Sequence, residues 1–105
     1  MAQQPNLNKM MKQLQQAQAA MEVEQEKLKT EIVEASAGGG TVNVKVTGDL
    51  QLTEVTIDPE ALDPEDVELL QDMIIAATNE ALRASQQLAE QRLGGIAGGL
   101  GLPGM

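Results

Sequence analysis

A chain of 105 residues holds one small domain and has no room for two. It contains no Phe, Tyr, Trp, Cys or His, which excludes an aromatic core, a disulfide framework, thiolate chemistry and the commonest general base and metal ligand. The net charge of −9 is concentrated: residues 49–72 carry nine acids and no base, whereas residues 1–21 carry Lys9 and Lys12 and no acid. A core made only of Leu, Val, Ile, Met and Ala buries little area per residue, so an oligomer is the expected remedy. The opening MAQQPNLNKMMKQ is polar and has no apolar h-region, and no apolar run approaches the ~20 residues that span a bilayer. A cytoplasmic protein without membrane contact is expected.

In chain order, Asn6 reads as an N-cap, and a helical pattern runs from Leu7 to about Val33. Leu7, Leu14, Met21 and Leu28 recur every seven residues, with Met10, Ala17 and Ile32 near the intermediate positions. Ser36-Ala37-Gly38-Gly39-Gly40 reads as a connection from helix to strand that could also act as a hinge. It is no phosphate loop, because no strand precedes it and no Lys-Ser/Thr follows. From Thr41 to Thr47 the valines at 42, 44 and 46 alternate with polar residues, the period of a half-buried strand. Gly48-Asp49 reads as a two-residue turn into a return strand over 50–57. That strand is out of phase with itself. Leu50 and Leu52 point one way and Val55 and Ile57 the other, which gives the sheet apolar surface on both faces unless a bulge near Thr53-Glu54 resets the alternation or the strand breaks to leave a third short one. Two strands alone are marginal in water and need cover from helices or a second copy.

The segment DPEALDPEDVELL follows, with Asp63 as the expected N-cap, Pro64 in the first helical position and acids suited to a helix N-terminus. A second helix then runs from Pro64 to about Arg92 or Leu93. Its seam is Val67, Leu70, Ile74, Ala77, Ala81, Ala84 and Leu88, with alanines that allow close helix approach. Gly94-Gly95 is the expected stop, and residues 94–105 read as a flexible glycine-rich tail outside a single domain over 1–93. The acidic segment lacks the residues of a calcium loop and reads as a solvated cap. Ser36 and Ser85 have no histidine partner, and no metal-ligand cluster or cofactor fingerprint is present. No enzyme, cofactor or small-molecule substrate is expected. The fold class is α+β: a long helix, a small antiparallel sheet and a second long helix.

Read whole, the order of NKMMKQLQQAQAAM, the GGG strand entry, I-D-P…D-P-E-D-V-E-x-L-x-D, A-x-N-E-A and the G-L-P-G-M end resembles the YbaB/EbfC family of bacterial nucleoid-associated proteins. The resemblance covers nearly the whole chain. It implies an intertwined homodimer whose sheets meet at the centre and whose helices project as arms that bind double-stranded DNA. It also implies effects on nucleoid organisation and gene expression. Carried onto this chain, the DNA contacts are Lys9 and Lys12 on the first helix and Arg83 and Arg92 on the second. The dimer interface is expected at Val42, Val44, Val46, Leu52, Val55, Ile57, Leu70 and Ile74. No recognition helix with a base-reading pattern is evident, so backbone or shape recognition with modest affinity and steep salt dependence is expected. The competing class is an acidic dimeric adaptor that binds other proteins through its arms or its 49–72 patch.

Overall fold

In the computed structural model, residues 7–99 are described; Asn6 and residues 100–105 of the glycine-rich tail lie outside them. Helix α1 spans Leu7–Thr30, strands β1, β2 and β3 span Ile32–Ala37, Val42–Thr47 and Leu52–Ile57, and helix α2 spans Val67–Gly99. The strands form one antiparallel sheet in the order β1-β2-β3.

Strand β1 is the main departure from the sequence reading, which carried the first helix to about Val33. Lys27 and Leu28 carbonyls accept the last helical bond from the Glu31 amide, and the β-branched pair Ile32-Val33 then continues as strand. Ile32 extends the seven-residue seam in sequence but not in space. Val33, Ala35 and Ala37 face the core, and alanine at two of these three positions makes the alternation faint. Gly38–Gly40 is therefore the loop of a β1–β2 hairpin and not a hinge between helix and sheet. All three glycines have positive φ (65°, 67° and 99°), which L side chains resist. Thr41 secures the loop by donating from its hydroxyl to the Gly38 carbonyl at 2.7 Å.

Strand β2 is central, and Val42, Val44 and Val46 are completely buried. Opposite them on the same face stand Ala37, Ala35 and Val33 of β1 and Ile57, Val55 and Leu52 of β3. The phase fault in the return strand is resolved by a bulge: Lys45 pairs with Glu54 but Val46 pairs with Leu52, which leaves Thr53 as the extra residue. The β2–β3 turn is longer than two residues, because β3 begins at Leu52 and not at Leu50. Its positive-φ residue is Leu50 (66°), not Gly48. Gly48 is needed for proximity instead: its amide donates to the Leu28 carbonyl at 2.8 Å at the end of α1.

Helix α2 lies across β1 and β2 and leaves β3 largely uncovered. Ala77 and Ala81 are fully buried against the β2 valines, so the alanines of the second seam admit a sheet, not another helix. The cap is Asp66, whose carboxylate accepts from the Leu69 amide at 3.0 Å. Asp63 instead closes an Asx turn with the Glu65 amide, which shifts the helix start from Pro64 to Val67. At its other end α2 continues through Gly94-Gly95 to Gly99. A Cβ at Gly94 or Gly95 would meet nothing within 4 Å. Gly94→Ala and Gly95→Ala are each expected to stabilise the helix by about 0.5–1 kcal/mol, read as a raised thermal midpoint.

The chain is elongated. Its principal extents are 80 × 24 × 15 Å and its radius of gyration is 20.7 Å, against about 13 Å for a compact domain of this length.

Candidate nucleic-acid interface

The length comes from a slender two-helix arm. Helix α2 crosses the sheet as far as Ser85, whose buried hydroxyl donates to the Thr47 carbonyl at 2.7 Å. Beyond that point α2 runs alongside α1 in the opposite direction. Leu28 shares an apolar groove with Leu50, Ala89 and Leu93, and Arg92 reaches back to Glu31 and Glu24. At 1.5 Å per residue, Lys12 stands roughly 24 Å out from Leu28 along α1, and Lys9 one turn further.

The four bases predicted to bind DNA do not form one cluster. Lys9 and Lys12 lie on exposed positions of the projecting half of α1, where residues 7–21 carry no acid. Arg83 sits at the level of the sheet, between the buried residues Ala81 and Ser85, and pairs with Glu80 at 3.3 Å on the outer face of α2. Arg92 is a tie within the fold. Its guanidinium donates to Glu31 at 2.7 Å, which holds its pKa above the ordinary arginine value, and lies 3.5 Å from Glu24 Oε2. That oxygen is enclosed and has no hydrogen-bond partner, so the guanidinium is its charge partner. A contact between residues 61 positions apart leaves no local trace in sequence. The acid-rich 49–72 stretch covers both turns flanking β3, that strand, and the start of α2, and the basic part of α1 is carried away from it.

The residues expected at a dimer interface divide in three. Val42, Val44 and Val46 have no exposed surface even in a single chain, so they cannot touch a partner; they are the chain's own core. Leu70, Ile74 and Ile57 pack on that core and are only partly open. Leu52 and Val55 remain 52% and 40% exposed, on the same sheet face as the core but beyond the reach of α2. The opposite face is polar apart from the exposed Ile32 at one end of β1. Glu34, Lys45 and Glu54 stand in register across the three strands, and Lys45 meets Glu54 at 3.2 Å. Hydrogen bonding to Glu54 raises the Lys45 pKa, so the amine is charged throughout the neutral range. Among the described residues no group of His, Cys, Asp or Glu is arranged to hold a metal, and no helix is long and apolar enough to cross a membrane.

This architecture is an α+β sheet half-covered by one helix, extended by a thin helical arm with a basic outer half. Residues 3–100 match the YbaB/EbfC DNA-binding family, and the chain belongs to that family. It is 48% identical over 101 residues to a nucleoid-associated protein of Alkaliphilus metalliredigens, covering 96% of this chain and 89% of that one. With a nucleoid-associated protein of Acetivibrio thermocellus the identity is 52% over 101 residues, covering 95% of this chain and 89% of the relative. For one of Moorella thermoacetica it is 52% over 99 residues, with 94% and 95% covered. The fold is similar to the crystal structure of an uncharacterized protein of Helicobacter pylori, HP0035, with a TM-score of 0.72 and 25% identity over 84% of this chain and 92% of that one. The match is to a DNA-binding family, not to an enzyme family.

Proposed function

We propose that this protein binds double-stranded DNA in the cytoplasm as a homodimer, through backbone and shape contacts made by its arms, and so organises the nucleoid and influences gene expression. The observation that carries the reading is the separation of charge along an elongated chain of a DNA-binding family. Lys9 and Lys12 stand on a projecting helix, and nine acids gather around the β3 side of the sheet and the start of α2. A chain of net charge −9 is repelled by DNA at long range, so the binding surface has to lie away from the body. The homodimer rests on Leu52 and Val55, which extend the core face into solvent and supply an apolar strip for a second copy. Two-fold pairing sets two arms at a fixed spacing and doubles the number of arm lysines.

The test is fluorescence anisotropy with a labelled random-sequence duplex over a salt series. Wild type binds, with affinity falling steeply as salt rises. Lys9→Glu/Lys12→Glu, with its oligomeric state unchanged, loses affinity roughly 10- to 100-fold, and the slope of log K against log salt falls by about 3–4 units if all four arm lysines of a dimer meet phosphates. Equal affinity in the two proteins would move the site off α1. Failure of wild type to bind even at low salt, with capture of a basic protein, would favour the acidic adaptor.

A further inference from the structure

Helix α1 carries four lysines, and its period sorts them onto different sides. Counted at about 100° per residue, Lys9, Lys12, Gln16, Ala19, Val23 and Lys27 fall within one sector about 80° wide, and all six are exposed. The centre of this sector lies roughly 130° round the helix from Ala17 and Leu28, the two buried residues, so it faces away from the rest of the chain. Lys29 lies about 160° round from Lys27. It stands on the side of the Leu28 groove, which Asp49 and Glu90 also line, and pairs with Glu26 at 2.9 Å. No acid falls inside the sector. Glu22, Glu24 and Glu26 flank it, and the last two are engaged elsewhere, Glu24 by Arg92 and Glu26 by Lys29. Lys27 approaches Glu24 at 3.6 Å, but its side chain is 59% exposed, and an i,i+3 pair this open to water holds a lysine weakly.

We propose that DNA lies lengthwise along this outward face of α1, and that Lys27 is a phosphate contact in line with Lys9 and Lys12. The inference rests on the DNA-binding function proposed above and extends its contact inward from the outer half of the arm to the joint. From Lys9 to Lys27 the face runs roughly 27 Å, the length of about eight base pairs. Between the lysines it is neutral and low. Gln16 offers amide hydrogens to a phosphate oxygen, and the short side chains of Ala19 and Val23 let the backbone of a duplex come close. A polyanion fits this side by charge. On the opposite side, Lys29 is accompanied by Glu26, Asp49 and Glu90, which repel it.

Lys27→Gln and Lys29→Gln form a matched pair for the test. Each removes one positive charge from the last turn of α1, so the loss to the helix dipole and to the net charge is the same. Both are made in the full-length protein, checked for unchanged fold and oligomeric state, and titrated with the labelled duplex over the salt series. Lys27→Gln is expected to weaken binding roughly 10-fold near 0.1 M salt and to lower the slope of log K against log salt by about 2 units, one phosphate from each copy of a dimer. Lys29→Gln leaves the slope unchanged and shifts the affinity less than about twofold. A second pair adds an acid instead: Val23→Glu, on the outward face, weakens binding more than Gln25→Glu, on the groove side. Equal effects within either pair overturn the lengthwise contact. If Lys9→Glu/Lys12→Glu still loses affinity in that case, DNA binding stands and is confined to the outer half of α1. A wild type that binds no duplex even at low salt overturns both.

Discussion

Gly48→Ala is expected to lower stability by about 3 kcal/mol, combining overpacking with the loss of one backbone hydrogen bond. A Cβ at position 48 would lie 2.7 Å from the Leu28 carbonyl oxygen, 2.8 Å from Leu28 Cδ2 and 3.0 Å from Leu28 Cα. Two of those three atoms are backbone, so no rotamer change relieves the collision. The turn must lift off α1, and the 2.8 Å bond from the Gly48 amide to the Leu28 carbonyl goes with it. Helix α1 meets the rest of the chain at few other places, and Leu28 is one of only two buried residues on it. For a domain of this size the loss corresponds to a fall in Tm of roughly 10–20 °C, measured at matched protein concentration. Gly94→Ala, at a glycine with open space around it, provides the contrast and shifts the midpoint upward. Unchanged stability in Gly48→Ala would show that the turn and α1 are not held at this distance.

Val55→Asp is expected to convert the proposed dimer to a monomer while leaving the fold of each chain in place. Val55 pairs with Val44 at the centre of the sheet, yet 40% of it is exposed because α2 passes over β1 and β2. In a single chain the new carboxylate stays hydrated. In a dimer whose interface covers β3, it would be buried twice without a cationic partner, at a cost of at least 3–5 kcal/mol. That is a weakening of roughly 100- to 1,000-fold or more in the dimer constant. Light scattering across a dilution series reads it directly, and circular dichroism checks the fold. The same substitution at Leu70 or Ile74 is a poorer probe, because both pack against the valine core and a carboxylate there threatens the chain itself. A Val55→Asp protein that remains dimeric at low concentration would move the interface away from β3.

The periodic elements were legible before any coordinates, and the contacts that arrange them were not. The valine alternation at 42, 44 and 46 announced β2, and the phase fault around Thr53 left a bulge as one of its possible resolutions, because both are local consequences of a two-residue period. Strand β1 was hidden: Ala35 and Ala37 give weak contrast, and Ile32 happens to continue the helical seam. Gly48 was read as part of a two-residue turn, when its real constraint is a neighbour twenty residues away in sequence. Arg92, which the family resemblance placed among the DNA contacts, is tied to Glu24 and Glu31, a proximity that side-chain type does not announce. Of the proposed DNA contacts, only Lys9 and Lys12 share the projecting part of the arm.

The arm leaves the body at a joint held by three things: the Gly48 amide, the side chain of Leu28 and the guanidinium of Arg92. The first two ignore dissolved ions and the third does not, since Arg92 is about one-third open to solvent. Raising the ionic strength thus slackens one of three stays on a lever roughly 30 Å long, where a few degrees at the joint become about 2 Å at the tip. Electrolyte then acts on this protein as a mechanical variable, broadening the range of tip positions. If the lysines bind DNA as proposed, a salt titration is expected to yield an apparent ion count larger than the number of phosphates they meet.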